Sequence, residues 1–303
     1  MNTTKVYNVL KTGIQNVHFK NWSETFQCRP ELFFIPSTEE EIKQILEFAR
    51  EKRKKVRVVG CRHSPSDIAC TDDVMISLKN FNRILKVDKK NLQVMVEAGA
   101  VISDLNESLY SHNLALPVLG STSNISIGGA ISVATHGSGI RYGTLSTYVT
   151  ELDLMLSDGS VKKFSADRDK ELFLAAVCSL GSFGIILRVS LQCEAAFNLQ
   201  LRQYSLGLQD VIEHLDVHIE GSDHFRFMWF PYTEGVVVCH SQRTEKPITK
   251  VSWLQKCYDW FWNYGIGYYS LEFCYYLSYE KHRTQEDIQE EHRTQEDPPC
   301  ADS

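Results

Sequence analysis

An α+β fold is what the sequence predicts, from three observations. Short β-branched runs bounded by turn residues recur along the chain, and helical repeats between them are few. Strand and helix do not alternate with the regularity of a doubly wound nicotinamide-binding sheet. At 303 residues, 43% hydrophobic and 23% charged, the chain has the composition of a globular protein long enough for two cores.

The elements follow in order. Pro36, Ser37 and Glu40 form a capping-box pattern that opens a helix, and Ile42, Ile45, Leu46 and Ala49 then repeat on one face. Basic residues from Arg50 to Lys55 suit the dipole at its end. Lys55–Val59 is β-branched and predicts a strand, Gly60–Ala69 a polar turn, and Val74–Leu78 another strand. Ile84–Val87 and Leu92–Glu97 predict a hairpin through Asp88-Lys89-Lys90-Asn91, and Leu105 and Leu109 place a short helix over Ser103–Ser111. Val149–Leu156 and Val161–Phe164 flank Asp158-Gly159, the strongest hairpin signal in the chain. Asp169–Ser179 reads as a helix, and Leu180–Gly184 leads into the strand Ile185–Leu191.

After Glu194 the texture changes. Val211–Ile219 predicts a helix, and Phe225–Phe230 and Val236–Cys239 predict strands parted by Pro231. Val251–Tyr279 concentrates Trp, Tyr and Phe, but Lys256, Asp259, Gly265, Gly267 and Glu272 interrupt it, which excludes an ordinary membrane-spanning helix. Two readings of equal weight stay open there: a contact with a membrane–water interface, or the aromatic core of a second domain. His282–Asp287 recurs as His292–Asp297, with too little apolar surface to pack, so this tail is expected to be disordered or at most a solvated helix.

Composition removes several function classes. A net charge of −6 without a basic face argues against nucleic acid. Nine cysteines, an odd number without Cys-x-x-Cys spacing, exclude a metal ribbon or disulfide framework and suit a reducing compartment. Met1–Asn21 has no apolar core, so no cleaved secretory signal is expected. Neither a Gly-x-Ser-x-Gly elbow nor a phosphate-binding Gly-Lys-Ser/Thr occurs, and no His/Cys cluster has metal spacing, so no metal is expected.

Two polar regions carry the chemistry. Gly60–Ser66 presents His63 beside Ser64, and a glycine there lets main-chain N–H groups converge on an anion. A histidine after a strand is by itself more often a loop or capping residue. The stretch Leu119–Gly143 changes that reading, because its many glycines lie among Ser, Thr, Asn and His136. Such a segment means loops packed on loops, or backbone held against a large flat polar ligand. Together the two regions could wrap a dinucleotide, with amides on the pyrophosphate and Ser64, Ser121 and Ser126 as hydroxyl donors.

The run Val58-Val59-Gly60-x-x-His63-Ser64-Pro65-Ser66-Asp67-Ile68-Ala69 resembles the FAD-linking turn of aldonolactone oxidases in the vanillyl-alcohol-oxidase, or PCMH-type, flavoprotein family. Gly120-Ser121, Ile125-Ser126, Gly129 and Thr135–Gly139 resemble that family's second flavin loop, and similarity runs from Phe19 to about Leu271, including Phe225–Pro231. The resemblance implies an N-terminal segment 1–24, a PCMH-type FAD-binding domain of two α/β subdomains at 25–196, a partial α+β substrate (cap) domain at 197–280, and a tail at 281–303.

It further implies that His63 bonds covalently to the flavin 8α carbon. Gly60, Cys61, Arg62, Ser64, Pro65 and Ser66 would cradle the pyrophosphate. Ser121, Ser126, Gly129, Val133, Ala134, Thr135 and His136 would line the flavin, and Ile186 would offer a backbone contact on the adenine side. Gly120 would stand beside the flavin C4a edge, leaving room for dioxygen and favouring oxidase over dehydrogenase. The implied reaction takes a hydride from the C2 carbinol of L-gulono-1,4-lactone and passes the electrons to O₂, giving H₂O₂ and a keto-lactone that tautomerises to ascorbate. The implied partners are a small sugar lactone and O₂, with peripheral or integral association to the endoplasmic reticulum membrane through Val251–Tyr279.

Two departures accompany the resemblance. Cys61-Arg62 stands where the family usually has a glycine pair, a variation similar to bacterial alditol oxidases. The family's His-Trp-x-Lys motif does not occur in these 303 residues, so a C-terminally truncated chain is expected and its substrate acid–base residues are unassigned. The alternatives are a chain that binds FAD without turnover, or a related alditol or aldonolactone oxidase acting on another polyol.

Overall fold

Burial of one helix face and pairing of short β-branched runs account for the first layer. A computed structural model describes residues 11–296. β1 (Phe19–Lys20) and β2 (Gln27–Cys28) form an antiparallel hairpin. β3 (Leu32–Phe34), α1 (Glu39–Glu51), β4 (Val56–Val59) and β5 (Val74–Ser77) follow, and the strands pair in parallel in the order β3-β5-β4. The helix buries Ile42, Ile45, Leu46, Phe48 and Ala49. Its cap lies one residue beyond the Ser37/Glu40 pair: Thr38 Oγ1 accepts from the Glu41 amide at 3.2 Å, and the Glu41 carboxylate accepts from the Thr38 and Ser37 amides at 3.1 and 2.6 Å. A glutamate at position 41 reaches both amides ahead of the helix, which settles the register.

The second subdomain comprises β6 (Ile84–Asp88), β7 (Gln93–Glu97), α2 (Ile102–Ser111), β8 (Leu114–Ala115), α3 (Ile127–Ser132), β9 (Val149–Met155), β10 (Val161–Ser165), α4 (Lys170–Val177), β11 (Ile185–Gln192) and β12 (Glu194–Ala195). Its main sheet runs β10-β9-β11-β7-β6, antiparallel throughout. Both expected hairpins are present, and Val94, Val96, Leu152, Leu154, Val189 and Leu191 fill one core with the α1 face. The short helix α3 was not legible in its Gly/Ser-rich surroundings; burial of Ile127, Ala130 and Ile131 overrides the weak local propensity. A smaller cluster of Phe19, Val59 and Met75, with Cys28, Phe33, Ala69 and Cys70 against it, ties the β1–β2 hairpin to the parallel sheet. The described part of the N-terminal segment thus packs as part of the first unit, where Ile14 also bridges to Phe33.

The chain divides into two compact units, Met1–Phe197 and Asn198–Ser303. The second holds β13 (Asn198–Gly207), α5 (Leu208–Glu213), α6 (Leu215–Glu220), β14 (His224–Trp229) and β15 (Gly235–Thr244), with antiparallel order β13-β15-β14 around Val211, Val236 and Val238. Then come α7 (Trp253–Trp260), a π-helical turn at Phe261–Ile266, and α8 (Gly267–Glu296).

The aromatic run therefore does not form the core of this unit. Most of its rings are exposed along the helix, with Trp253 71%, Tyr264 69% and Tyr269 67% exposed, while Tyr275 and Tyr279 meet Tyr232. Among the described residues no helix is long and apolar enough to cross a membrane. The repeated polar tail, expected to be disordered or at most a solvated helix, continues α8 to Glu296, and residues 297–303 lie outside the described range. Glu, Gln, Lys and Arg favour helix, and neither Gly nor Pro follows Gly267 before that point.

Candidate functional site

β4 ends at Gly60, and there the two polar regions meet. A Cβ on Gly60 would lie 1.9 Å from Ser126 Oγ, so only a residue without a side chain lets the loops touch. The glycine serves close approach; the left-handed backbone expected of it belongs instead to Arg62, at φ 66°. That conformation costs a non-glycine residue on the order of 1 kcal/mol. The amide of Trp22 holds it by donating to the Arg62 carbonyl at 2.8 Å. Asn21 Nδ2 donates to the Ser64 carbonyl at 3.0 Å and Thr25 Oγ1 to the Pro65 carbonyl at 3.2 Å, so the β1–β2 hairpin grips the turn from outside.

Cys61 is half-buried. Burial pushes its thiol up from the usual cysteine range, more than the Ser126 amide hydrogen-bonded to it lowers it. A thiol held in its neutral form is a poor nucleophile. Ser126, only 4% exposed, occupies the N-cap of α3 without spending its hydroxyl on a capping bond.

The turn and the loop wall a cavity of about 1310 Å³. Its lining includes the turn Gly60–Ser66, the loop residues Gly120, Ser121, Ser126, Gly129, Val133 and Thr135, and Ile186. Ala134 and His136 are not on the wall. Ala134 sits in a left-handed turn at φ 52°, and His136 Nδ1 is 3.0 Å from the Gly137 carbonyl, with its backbone bridged to Thr144. A Cβ on Gly120 would meet Thr135 Cγ2 at 2.7 Å, so these two positions narrow the cavity together.

Sequence reasoning missed two parts of the wall. Leu180–Gly184 lines it through a turn with positive φ at Leu180, Gly181 and Gly184. Arg50 and Arg57 add positive charge. The Leu-Gly-Ser-Phe-Gly pattern signalled the turn but not what it faces. Ligand pockets for single small molecules typically span about 300–1,000 Å³, so this space suits a longer ligand. A cradle that a Cβ at residue 60 would fill, hydroxyl donors and flanking cations together fit an extended dinucleotide with an anionic middle and a flat ring.

Residues 30–165 match the family described as "FAD binding domain", and residues 189–296 match "D-arabinono-1,4-lactone oxidase". The chain is 46% identical over 266 residues to L-gulonolactone oxidase of Scyliorhinus torazame, covering 88% of this chain and 59% of that protein. It is 43% identical to the mouse (Mus musculus) protein of that name over the same shares of each chain. It is also 35% identical over 250 residues to L-gulono-1,4-lactone dehydrogenase of Mycobacterium tuberculosis, covering 82% of this chain and 58% of that one. The chain thus spans about three fifths of the length of these three relatives. Among solved structures, cholesterol oxidase from Brevibacterium sterolicum superposes with a TM-score of 0.70 at 21% identity, over 79% of this chain and 50% of that one, and shares the fold.

Proposed function

We propose that the chain is of the aldonolactone oxidase type that its relatives represent, that it holds FAD in the cavity through a covalent bond to His63, and that it oxidises an aldonolactone with dioxygen as the electron acceptor. The observation that carries the reading is the convergence of the His63 turn and the Ser126 loop on one cavity, in contact at Gly60. When bound, FAD supplies the acceptor for the hydride of a substrate carbinol.

The chain's own residues supply the rest. In this reading main-chain amides between Gly60 and Ser66, other than Pro65, which has no N–H, donate to the pyrophosphate, with Arg50 and Arg57 balancing its charge. Ser121 and Ser126 donate to the ring edge, and Gly129, Val133 and Thr135 shape the flat slot. Ala134 and His136 act indirectly, by turning the loop. Ile186 bounds the adenine side, and Gly120 keeps the approach of dioxygen open. The substrate of this reading is L-gulono-1,4-lactone, and its product is a keto-lactone that tautomerises to ascorbate.

Purified protein incubated with FAD and L-gulono-1,4-lactone is expected to release H₂O₂. Tightly held flavin with no peroxide from this or related lactones would instead support the reading as an FAD-binding chain without turnover. The proposal extends to location: the exposed rings of Val251–Tyr279 suit the membrane–water boundary, at the endoplasmic reticulum as the resemblance implies.

A further inference from the structure

Trp22 lies far from His63 in sequence and outside the cavity wall, yet its indole stacks on the imidazole, with ring centroids 5.6 Å apart and planes 22° from parallel. Its backbone is fixed as firmly as its ring. The Trp22 amide donates to the Arg62 carbonyl at 2.8 Å, the residue before the histidine. Asn21, 5% exposed, receives the Phe26 amide on Oδ1 at 3.1 Å and donates to the Ser64 carbonyl at 3.0 Å, the residue after it. The indole is thereby anchored to the main chain on both sides of the ring it covers. Trp22 is itself 73% exposed, so burying apolar surface is not what keeps it there.

We propose that Trp22 is a positioning residue for covalent flavin attachment, an inference that rests on the reading of His63 as the attachment point. A histidine side chain turns about two bonds, and its nitrogen lone pairs lie in the ring plane. A near-parallel indole on one face restricts rotation about the second bond without covering either nitrogen. The cavity lies against the same residue, so a nitrogen can be held toward a flavin methyl carbon. Attachment replaces one C–H bond of the 8α methyl and the N–H bond of the imidazole with one C–N bond. The hydrogens leave as two protons and two electrons, which dioxygen takes up as hydrogen peroxide. Nothing in that balance needs the indole chemically; its part is to raise the fraction of time the ring is aimed.

The test reconstitutes the full-length apoprotein with FAD and follows covalent attachment by intact mass after denaturation. Non-covalent FAD affinity is measured in parallel in a His63→Ala background. Trp22→Ala is expected to slow attachment about tenfold, near the upper end of what one ring stack supplies. Trp22→Phe should restore most of the rate, and Trp22→Ala should leave FAD affinity unchanged when His63 is already alanine. Attachment at the wild-type rate in Trp22→Ala would overturn the inference alone. So would a loss of FAD affinity from Trp22→Ala in the His63→Ala background, because the indole would then support the turn as a whole. A wild-type chain that binds FAD without linking it would overturn the reading of His63 and this inference with it.

Discussion

Gly120 and Thr135 meet across the cavity wall, and that contact separates two effects a single substitution would confound. An alanine at position 120 would bring its methyl to 2.7 Å from Thr135 Cγ2, so the variant both narrows the oxygen approach and displaces Thr135. Thr135→Ser removes the opposing methyl. If the space at Gly120 admits dioxygen, Gly120→Ala lowers peroxide formation by about tenfold or more, and the Gly120→Ala/Thr135→Ser pair stays slow while reduction of an artificial dye is spared. Recovery of the oxygen reaction in the pair would assign the loss to the clash.

A second residue-scale prediction concerns His240 in the other unit. Ser222 Oγ lies 3.0 Å from the His224 carbonyl, to which it donates, so it accepts from His240 Nδ1 at 2.8 Å. That leaves His240 Nε2 as acceptor for His218 Nδ1 at 3.2 Å. Burial, then His218, then Arg202 from the neighbouring strand push the proton affinity of His240 below the usual histidine range. The unfolded chain therefore binds a proton that the folded unit refuses. Stability is fully present above about pH 6.5 and falls as pH drops through the lower folded value. Thermal unfolding at pH 7.5 and 5.5 is expected to show a larger fall in midpoint for wild type than for His240→Gln. Equal falls would show that the pair does not report on pH.

At the scale of elements, exposure decides what Val251–Tyr279 can do. Rings as exposed as Trp253, Tyr264 and Tyr269 are not part of a protein core, whereas Trp and Tyr are at home among lipid headgroups. The chain is expected to float with vesicles of mixed neutral and anionic phospholipid. Replacing Trp253, Trp260 and Trp262 together by serine should return it to the soluble fraction, and flotation unchanged by that triple substitution would count against this run as the contact.

The elements also show what a sequence makes legible. α1 and the two hairpins of the second subdomain follow from strong periodicity and turn chemistry, and they appear within a residue or two. β13 did not, because most of its side chains are exposed and hydrophobic alternation has nothing to report there. α3 is called into being by tertiary burial. The His63 turn and its partner loop were readable because glycine and hydroxyl residues mark them densely. Leu180–Gly184 and Trp22 were not, since a cavity wall and a ring stack are made by distant segments meeting.

For the molecule as a whole, the cavity, His63 and the indole stacked on it all lie within Met1–Phe197. The second unit supplies a sheet of its own and an exposed aromatic rod. In the proposed reading flavin attachment depends on the first unit alone, and lactone turnover is a separate question that the peroxide assay addresses. The central claim is the bond at residue 63. Protein reconstituted with FAD, denatured and weighed intact should exceed the bare polypeptide by one FAD less two hydrogens, with the added mass on the peptide that contains His63, and His63→Ala should weigh as bare polypeptide. A wild-type mass without flavin, or an alanine variant that still carries it, would contradict the account.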